Sequence, residues 1–208
     1  EVNKILTKKI LKLTPNIPII SEESSDNKNN KNLKNFWLID PIDGTYDYIN
    51  NREEFTLNAA LIVNKKPVIG IINAPDKKRI FYSYGYSNSY EKFNQNVIKL
   101  INVNRINTNK VIAVAYSNEL KKEVLKIYKE FNFNNFKKMK SSYKFCVIAA
   151  GEYDLYVAEP RACEWDIAAG HAILEHAGGK VSDFYGNEIL YGKKNFKNSS
   201  LILRGRSI

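Results

Sequence analysis

Trp37-Leu38-Ile39-Asp40-Pro41-Ile42-Asp43-Gly44-Thr45 is the stretch on which the reading of this chain turns. Residues 36–39 read as a buried strand. Pro41 has no N–H to give a sheet ladder, so the strand is predicted to stop there. Asp43-Gly44-Thr45 then reads as a turn feeding a short helix over residues 46–49, and such a helix start leaves backbone N–H groups free. Two acids three residues apart around a turn can share a hard cation while the free amides hold an anion. A metal and a phosphate would then meet at one place. The alternative is local: Asp-Pro and Asp-Gly are common turn dipeptides, and either aspartate can cap the helix.

A chain of 208 residues suits one large domain or two smaller halves and can bury a real core. The net charge of +10 points to an anionic partner such as a phosphate ester, a nucleotide, nucleic acid or a membrane surface. Much of that charge sits in Lys/Asn-rich loops and in the lysines between Lys121 and Lys129, which reads as compositional drift. No basic-aromatic stripe or known nucleic-acid module is visible, so no nucleic acid is expected. Cys146 and Cys163 are too few and too separated for a disulfide framework or a zinc site, and they fit a reduced compartment. No apolar run is long enough to span a bilayer and no signal peptide is visible, so a cytoplasmic location is expected. The chain starts at Glu1 inside a helical pattern and reads as a fragment, or as a mature chain whose beginning is absent.

Val2, Ile5, Leu6, Ile10 and Leu13 recur at helical spacing, which predicts a helix over residues 1–13. A short strand over 17–20 runs into Ser21-Glu22-Glu23-Ser24, and 26–35 reads as a polar, mobile loop. Strands over 55–63 and 68–73 are joined by Asn64-Lys65-Lys66-Pro67, a hairpin signature, and strands over 80–84 and 89–93 follow. From about residue 104 strands and helices alternate: strands at 111–115, 136–139, 155–158, 180–184 and 201–203, helices at 120–131, 143–150 and 166–177. The expected architecture is α/β, with an α+β first half (1–104, metal-binding) and an α/β second half (105–208, substrate-binding).

Glu22 and Glu23 follow a strand as Asp40 does, so acids at neighbouring strand ends can converge; a solvated turn is the alternative. Asp166 opens Trp165-Asp166-Ile167-Ala168-Ala169-Gly170, where an N-cap aspartate is the local alternative. The small Ala168, Ala169 and Gly170 would let that helix lie close against a neighbour. His171 and His176 are five apart on one helix, do not share a face, and read as packing or surface residues.

In this order, Ser21-Glu22-Glu23-Ser24, Asp40-Pro41-Ile42-Asp43-Gly44-Thr45 and Trp165-Asp166-Ile167-Ala168-Ala169-Gly170 resemble the Mg²⁺-dependent, lithium-sensitive sugar and nucleotide phosphatase superfamily. That superfamily includes inositol monophosphatases and bisphosphate nucleotidases. The resemblance implies a layered αβαβα sandwich with Mg²⁺ where the two halves meet. It implies that Glu22, Asp40, Asp43, Asp166 and the Ile42 carbonyl are metal ligands. Thr45 would orient the attacking water, and the Gly44 and Thr45 amides would hold phosphate oxygens. Ser141-Ser142-Tyr143-Lys144-Phe145-Cys146 is similar to a segment of the CysQ-type bisphosphate nucleotidases, which suggests that Ser141 and Lys144 hold a 5′-phosphate.

The implied activity is hydrolysis of the 3′-phosphate of adenosine 3′,5′-bisphosphate. The alternatives are an inositol or other sugar monophosphatase, and a catalytically impaired anion-binding protein. A homodimer is the implied assembly. Two family features are not found. An aspartate in a Thr-x-Ala-Asp stretch would fall before Glu1, and the branch's Ser-Arg-Ser-His is replaced by Ala115-Tyr116-Ser117-Asn118.

Overall fold

The computed structural model describes residues 1–27, 33–100, 111–206 and 208. Helix α1 (Val2–Leu13) precedes a seven-stranded sheet whose spatial order follows the sequence: β1 (Ile19–Ser21), β2 (Asn35–Asp43), β3 (Thr56–Val63), β4 (Lys66–Ala74), β5 (Arg79–Ser83), β6 (Ser89–Phe93) and β7 (Asn96–Lys99). The short helix α2 (Thr45–Ile49) lies between β2 and β3. The rest of the chain forms β8 (Val111–Ala115), α3 (Lys122–Glu130), β9 (Phe133–Lys138), α4 (Tyr143–Ala149), β10 (Leu155–Ala158), α5 (Glu164–His176), β11 (Lys180–Ser182) and β12 (Leu201–Arg204). Its five strands make a second sheet in the order β11-β12-β10-β8-β9. Among the described residues no helix is long and apolar enough to cross a membrane.

Alternation along the strands sets the layers. In β2, Trp37 and Ile39 point outward and pack with Ile10 of α1 and Ala59. Phe36 and Leu38 point inward and join Ile62, Ile72 and Phe81, the α4 and α5 side chains Phe145, Ile148, Ile167 and Ile173, and Tyr156 and Leu203 of the second sheet. The outer face of that sheet, Ala113, Leu155 and Val157, is covered by Val124 and Tyr128 of α3. The result is α1, sheet, α4 with α5, sheet, α3, which is the five-layer sandwich expected. Each fully buried phenylalanine here contributes about 1.5–3 kcal/mol of transfer free energy.

The predicted stop at Pro41 is wrong. β2 continues to Asp43, because a register shift between Asp40 and Asp43 carries the strand past the proline. Asp40 pairs with Asn58 and Asp43 with Thr56, so three steps on β2 match two on β3. That extra residue is a β-bulge, which removes the ladder position the proline could not fill.

Smaller differences lie at element ends. β9 starts at Phe133 rather than 136, β11 ends at Ser182 rather than 184, and α5 starts at Glu164 rather than 166. The edge strand β7 was not expected; its four residues are exposed or half-buried, so it carries no core pattern. Of the loop expected over 26–35, residues 28–32 lie outside the described residues, while 26–27 close a 3-10 turn and Asn35 already belongs to β2; the expected boundary at 104 falls within 101–110, also outside them.

Helix α5 sits between the sheets and approaches its neighbours closely. A Cβ on Gly70 of β4 would lie 2.3 Å from the Ala169 carbonyl oxygen, and one on Gly170 would lie 2.3 Å from Phe145. The small residues of α5 therefore fix how near it comes to β4 and to α4. Gly170→Ala should destabilise the fold by about 1–3 kcal/mol through overpacking. Urea unfolding should show a lower midpoint with an unchanged slope.

Candidate active site

The parallel pairing of β1 with β2 matches Ser21 to Ile39, so Glu22 leaves β1 beside Asp40. Asp40 keeps the inward parity of Phe36 and Leu38 and is 1% exposed. Asp166 reaches the same place from the first turn of α5, where its Oδ2 accepts the Cys163 N–H at 2.6 Å. The local reading and the metal reading of Asp166 therefore hold together: one carboxylate oxygen caps the helix start while the group also faces other acids. Glu22, Asp40 and Asp166 offer oxygens that all lie within 4.8 Å of one another.

Such crowding is costly for charge. Burial, followed by the charges of Asp43, Glu22 and Asp166, pushes the Asp40 carboxyl up to about 10. Burial and Asp43 push Asp166 up to about 7. Glu22 is also raised, chiefly by burial, and it shares a hydrogen bond with Asp40. A set of carboxylate oxygens that resist ionising together suits a hard divalent cation such as Mg²⁺.

Asp43 faces a different partner. Its Oδ2 accepts the Ser142 N–H at the start of α4. Ser142 Oγ lies 2.7 Å from Thr56 Oγ1 and donates to Asn58 Oδ1 at 2.7 Å. Burial raises the Asp43 carboxyl, and Lys144 and the Ser142 amide oppose the rise. Ile42 N–H donates to Asp40 Oδ1 at 3.0 Å, and the Ile42 carbonyl accepts from Thr45 Oγ1 at 2.9 Å. Gly44 holds φ +87° as the N-cap of α2, and a Cβ there would fall 2.6 Å from the Glu54 carbonyl oxygen. A side chain at position 44 is excluded on both counts.

Asp43, Gly44, Thr45 and Asp166 border a cavity of about 450 Å³. Ser141, Lys140, Lys144, Arg161 and Tyr116 line it too, together with the acids Asp47 and Glu159. Ser141 has φ +43°, and its carbonyl accepts from Lys144 Nζ. Burial lowers the Lys144 ammonium, while Asp43 and Asp166 oppose that shift. Lys140 Nζ pairs with the buried Asp47 at 3.1 Å. The cavity thus sets carboxylates and cationic side chains around one space, a combination suited to a phosphorylated molecule with a cation.

A model described as the inositol monophosphatase family matches residues 1–206. The chain belongs to the inositol monophosphatase family. It is 39% identical over 191 residues to the 3′(2′),5′-bisphosphate nucleotidase CysQ of Buchnera aphidicola, spanning 91% of this chain and 71% of that one. It is 32% identical over 188 residues to CysQ of Salmonella typhimurium, spanning 90% and 75%. The crystal structure of CysQ from Bacteroides thetaiotaomicron superimposes with a TM-score of 0.78 at 30% identity, covering 95% of this chain and 80% of that one. Members of the family are metal-dependent phosphatases, and the acidic trio is this chain's candidate metal site.

Sequence reasoning missed several residues around the site. Thr56 and Asn58 carried a signal, since they are polar at i and i+2 in an otherwise apolar strand and so share its inner face. Lys140 and Arg161 had none, because each lies in a loop with no periodicity. The histidines are packing residues as read: His171 Nδ1 lies 2.9 Å from Tyr191 Oη, and His176 Nδ1 accepts the Gly85 N–H. Cys146 is buried, which pushes its thiol up and keeps it inert.

The raised carboxyls fix a sign. Unfolded aspartates ionise near pH 4, whereas folded Asp40 and Asp166 retain protons to higher pH. Between those values the native state binds more protons, so metal-free stability falls as pH rises. The metal-free protein should melt lower at pH 8 than at pH 6, and Mg²⁺ should raise the melting temperature more at pH 8. Asp166→Asn keeps an acceptor for the Cys163 amide and removes one repelling charge. It should raise the metal-free melting temperature by about 2–4 °C while abolishing the Mg²⁺-induced rise. Thermal unfolding at both pH values, with EDTA and with Mg²⁺, checks both outcomes.

Proposed function

We propose that this protein hydrolyses the 3′-phosphate of adenosine 3′,5′-bisphosphate to AMP and phosphate, with Mg²⁺ as cofactor. The observation that carries this reading is the trio Glu22, Asp40 and Asp166, which meets, through Asp166, a cavity holding Lys144 and Arg161. The substrate is supported by the relatives named as 3′(2′),5′-bisphosphate nucleotidases. Cationic groups lining the cavity suit a substrate that carries a second phosphate.

In this proposal Glu22, Asp40, Asp43, Asp166 and the Ile42 carbonyl hold Mg²⁺. When bound, the cation supplies Lewis-acid stabilisation of charge on the phosphate oxygens. Thr45 Oγ1 gives its hydrogen to the Ile42 carbonyl. Its lone pairs are then free to accept a hydrogen bond from the attacking water and so orient it. The Gly44 and Thr45 amides hold phosphate oxygens as the reacting group turns over. The water oxygen bonds to phosphorus as the P–O3′ bond breaks, and a proton from the water ends on the leaving 3′-oxygen. Ser141, Lys144 and Arg161 take the 5′-phosphate. Residues 1–104 act as the metal-binding half and 105–208 as the substrate-binding half, with Asp166 reaching across. A homodimeric state, which rests on the family resemblance, and a cytoplasmic location, which fits two free cysteines, belong to the same proposal.

The test is Mg²⁺-dependent phosphate release by the full encoded chain from adenosine 3′,5′-bisphosphate and from inositol 1-phosphate. The nucleotide should be preferred by about tenfold or more in kcat/KM, and Asp40→Asn should lower turnover about a hundredfold or more. Preference for inositol 1-phosphate would make the protein a sugar monophosphatase. Tight nucleotide binding without phosphate release would make it an anion-binding protein.

A further inference from the structure

We propose that Tyr116 is a positioning residue for Arg161, and that the stacked pair makes the site selective for substrates carrying a second phosphate. This inference rests on the nucleotidase reading and adds to it the element that sets selectivity. Arg161 follows Pro160 in the loop before α5, and its side chain is exposed. A guanidinium on such a loop samples many rotamers and would hold a phosphate poorly. Here its Cζ lies 4.0 Å from the centroid of the Tyr116 ring. Among the described residues Arg161 makes no hydrogen bond or ion pair, so its N–H donors remain available to the cavity that both residues line.

The ring is itself held from both ends. Its backbone follows directly on β8, and Tyr116 Oη donates to Glu159 Oε2 at 2.7 Å. Glu159 Oε1 is 3.3 Å from Lys121 Nζ. Burial and Glu159 push the Tyr116 phenol up to about 12, so it stays a neutral donor at physiological pH. Stacking fixes the plane of the guanidinium and turns its edge into a preset fork for phosphate oxygens. Lys144 and Arg161 line the same cavity.

The test compares kcat and KM for adenosine 3′,5′-bisphosphate and adenosine 3′-monophosphate in the wild type, Tyr116→Leu, Tyr116→Phe and Arg161→Lys. The wild type should prefer the bisphosphate. Tyr116→Leu should cut the ratio of the two kcat/KM values about tenfold, mainly through KM for the bisphosphate. Tyr116→Phe keeps the stacked ring and should recover most of the ratio. Arg161→Lys keeps the charge without the planar stack and should lose the ratio as Tyr116→Leu does, which covers the case in which the leucine variant does not fold. An unchanged ratio in folded Tyr116→Leu, or an equal loss on both substrates, overturns the inference. So does a wild-type ratio near one. No wild-type turnover of either nucleotide overturns the nucleotidase reading and takes this inference with it.

Discussion

One extra residue in β2 decides where the chemistry of this protein can occur. Asp40 and Asp43 are three apart, and in a regular strand they would face opposite sides of the sheet. The bulge lets Asp40 lie opposite Asn58 and Asp43 opposite Thr56, two positions on the same inner face of β3. Pro41 makes the interruption inexpensive because it has no ladder hydrogen to lose. The groups freed by the bulge are satisfied locally: Ile42 N–H by Asp40 and the Ile42 carbonyl by Thr45. A proline that would weaken a central strand here allows both acids to face α4 and α5.

The acids repel one another, so something else must hold them together. That role falls to the apolar layer between the sheets, where α5 lies against Gly70 and Phe145 at distances no larger residue permits. Asp166 is fixed by capping its own helix, and Asp43 by the amide of Ser142 at the start of α4. Ser142 in turn is tied to Thr56 and Asn58 of the first sheet. The site is therefore a joint between the two sheets. A cation that relieves the repulsion there also strengthens the joint, which links metal binding to fold stability.

Periodicity made the layers legible. The apolar run of residues 36–39, the helical spacing in α1 and the small residues of α5 each led to the element observed. The convergence of Glu22 with Asp40 was readable because both follow strands, and parallel pairing in register brings strand ends level. The bulge was not readable, since a proline in a strand pattern signals a stop as readily as an irregularity. Asp43's turn toward Ser142 was equally hidden, because it depends on a helix a hundred residues away. Arg161 and Tyr116 come together only through the sheet order, which sets β8 beside β10 and the loop after it.

The most direct test of this account is a crystal structure of the protein soaked in Mn²⁺, with the ion located by its anomalous scattering. Mn²⁺ shares the oxygen preference of Mg²⁺ and is visible where Mg²⁺ is not. The expected result is ion density bonded to carboxylate oxygens of Glu22, Asp40 and Asp166, with Asp43 and the Ile42 carbonyl completing the ligand set on the same face of the bulged strand. An ion bound elsewhere, or Asp43 turned to the opposite face of β2, would contradict it.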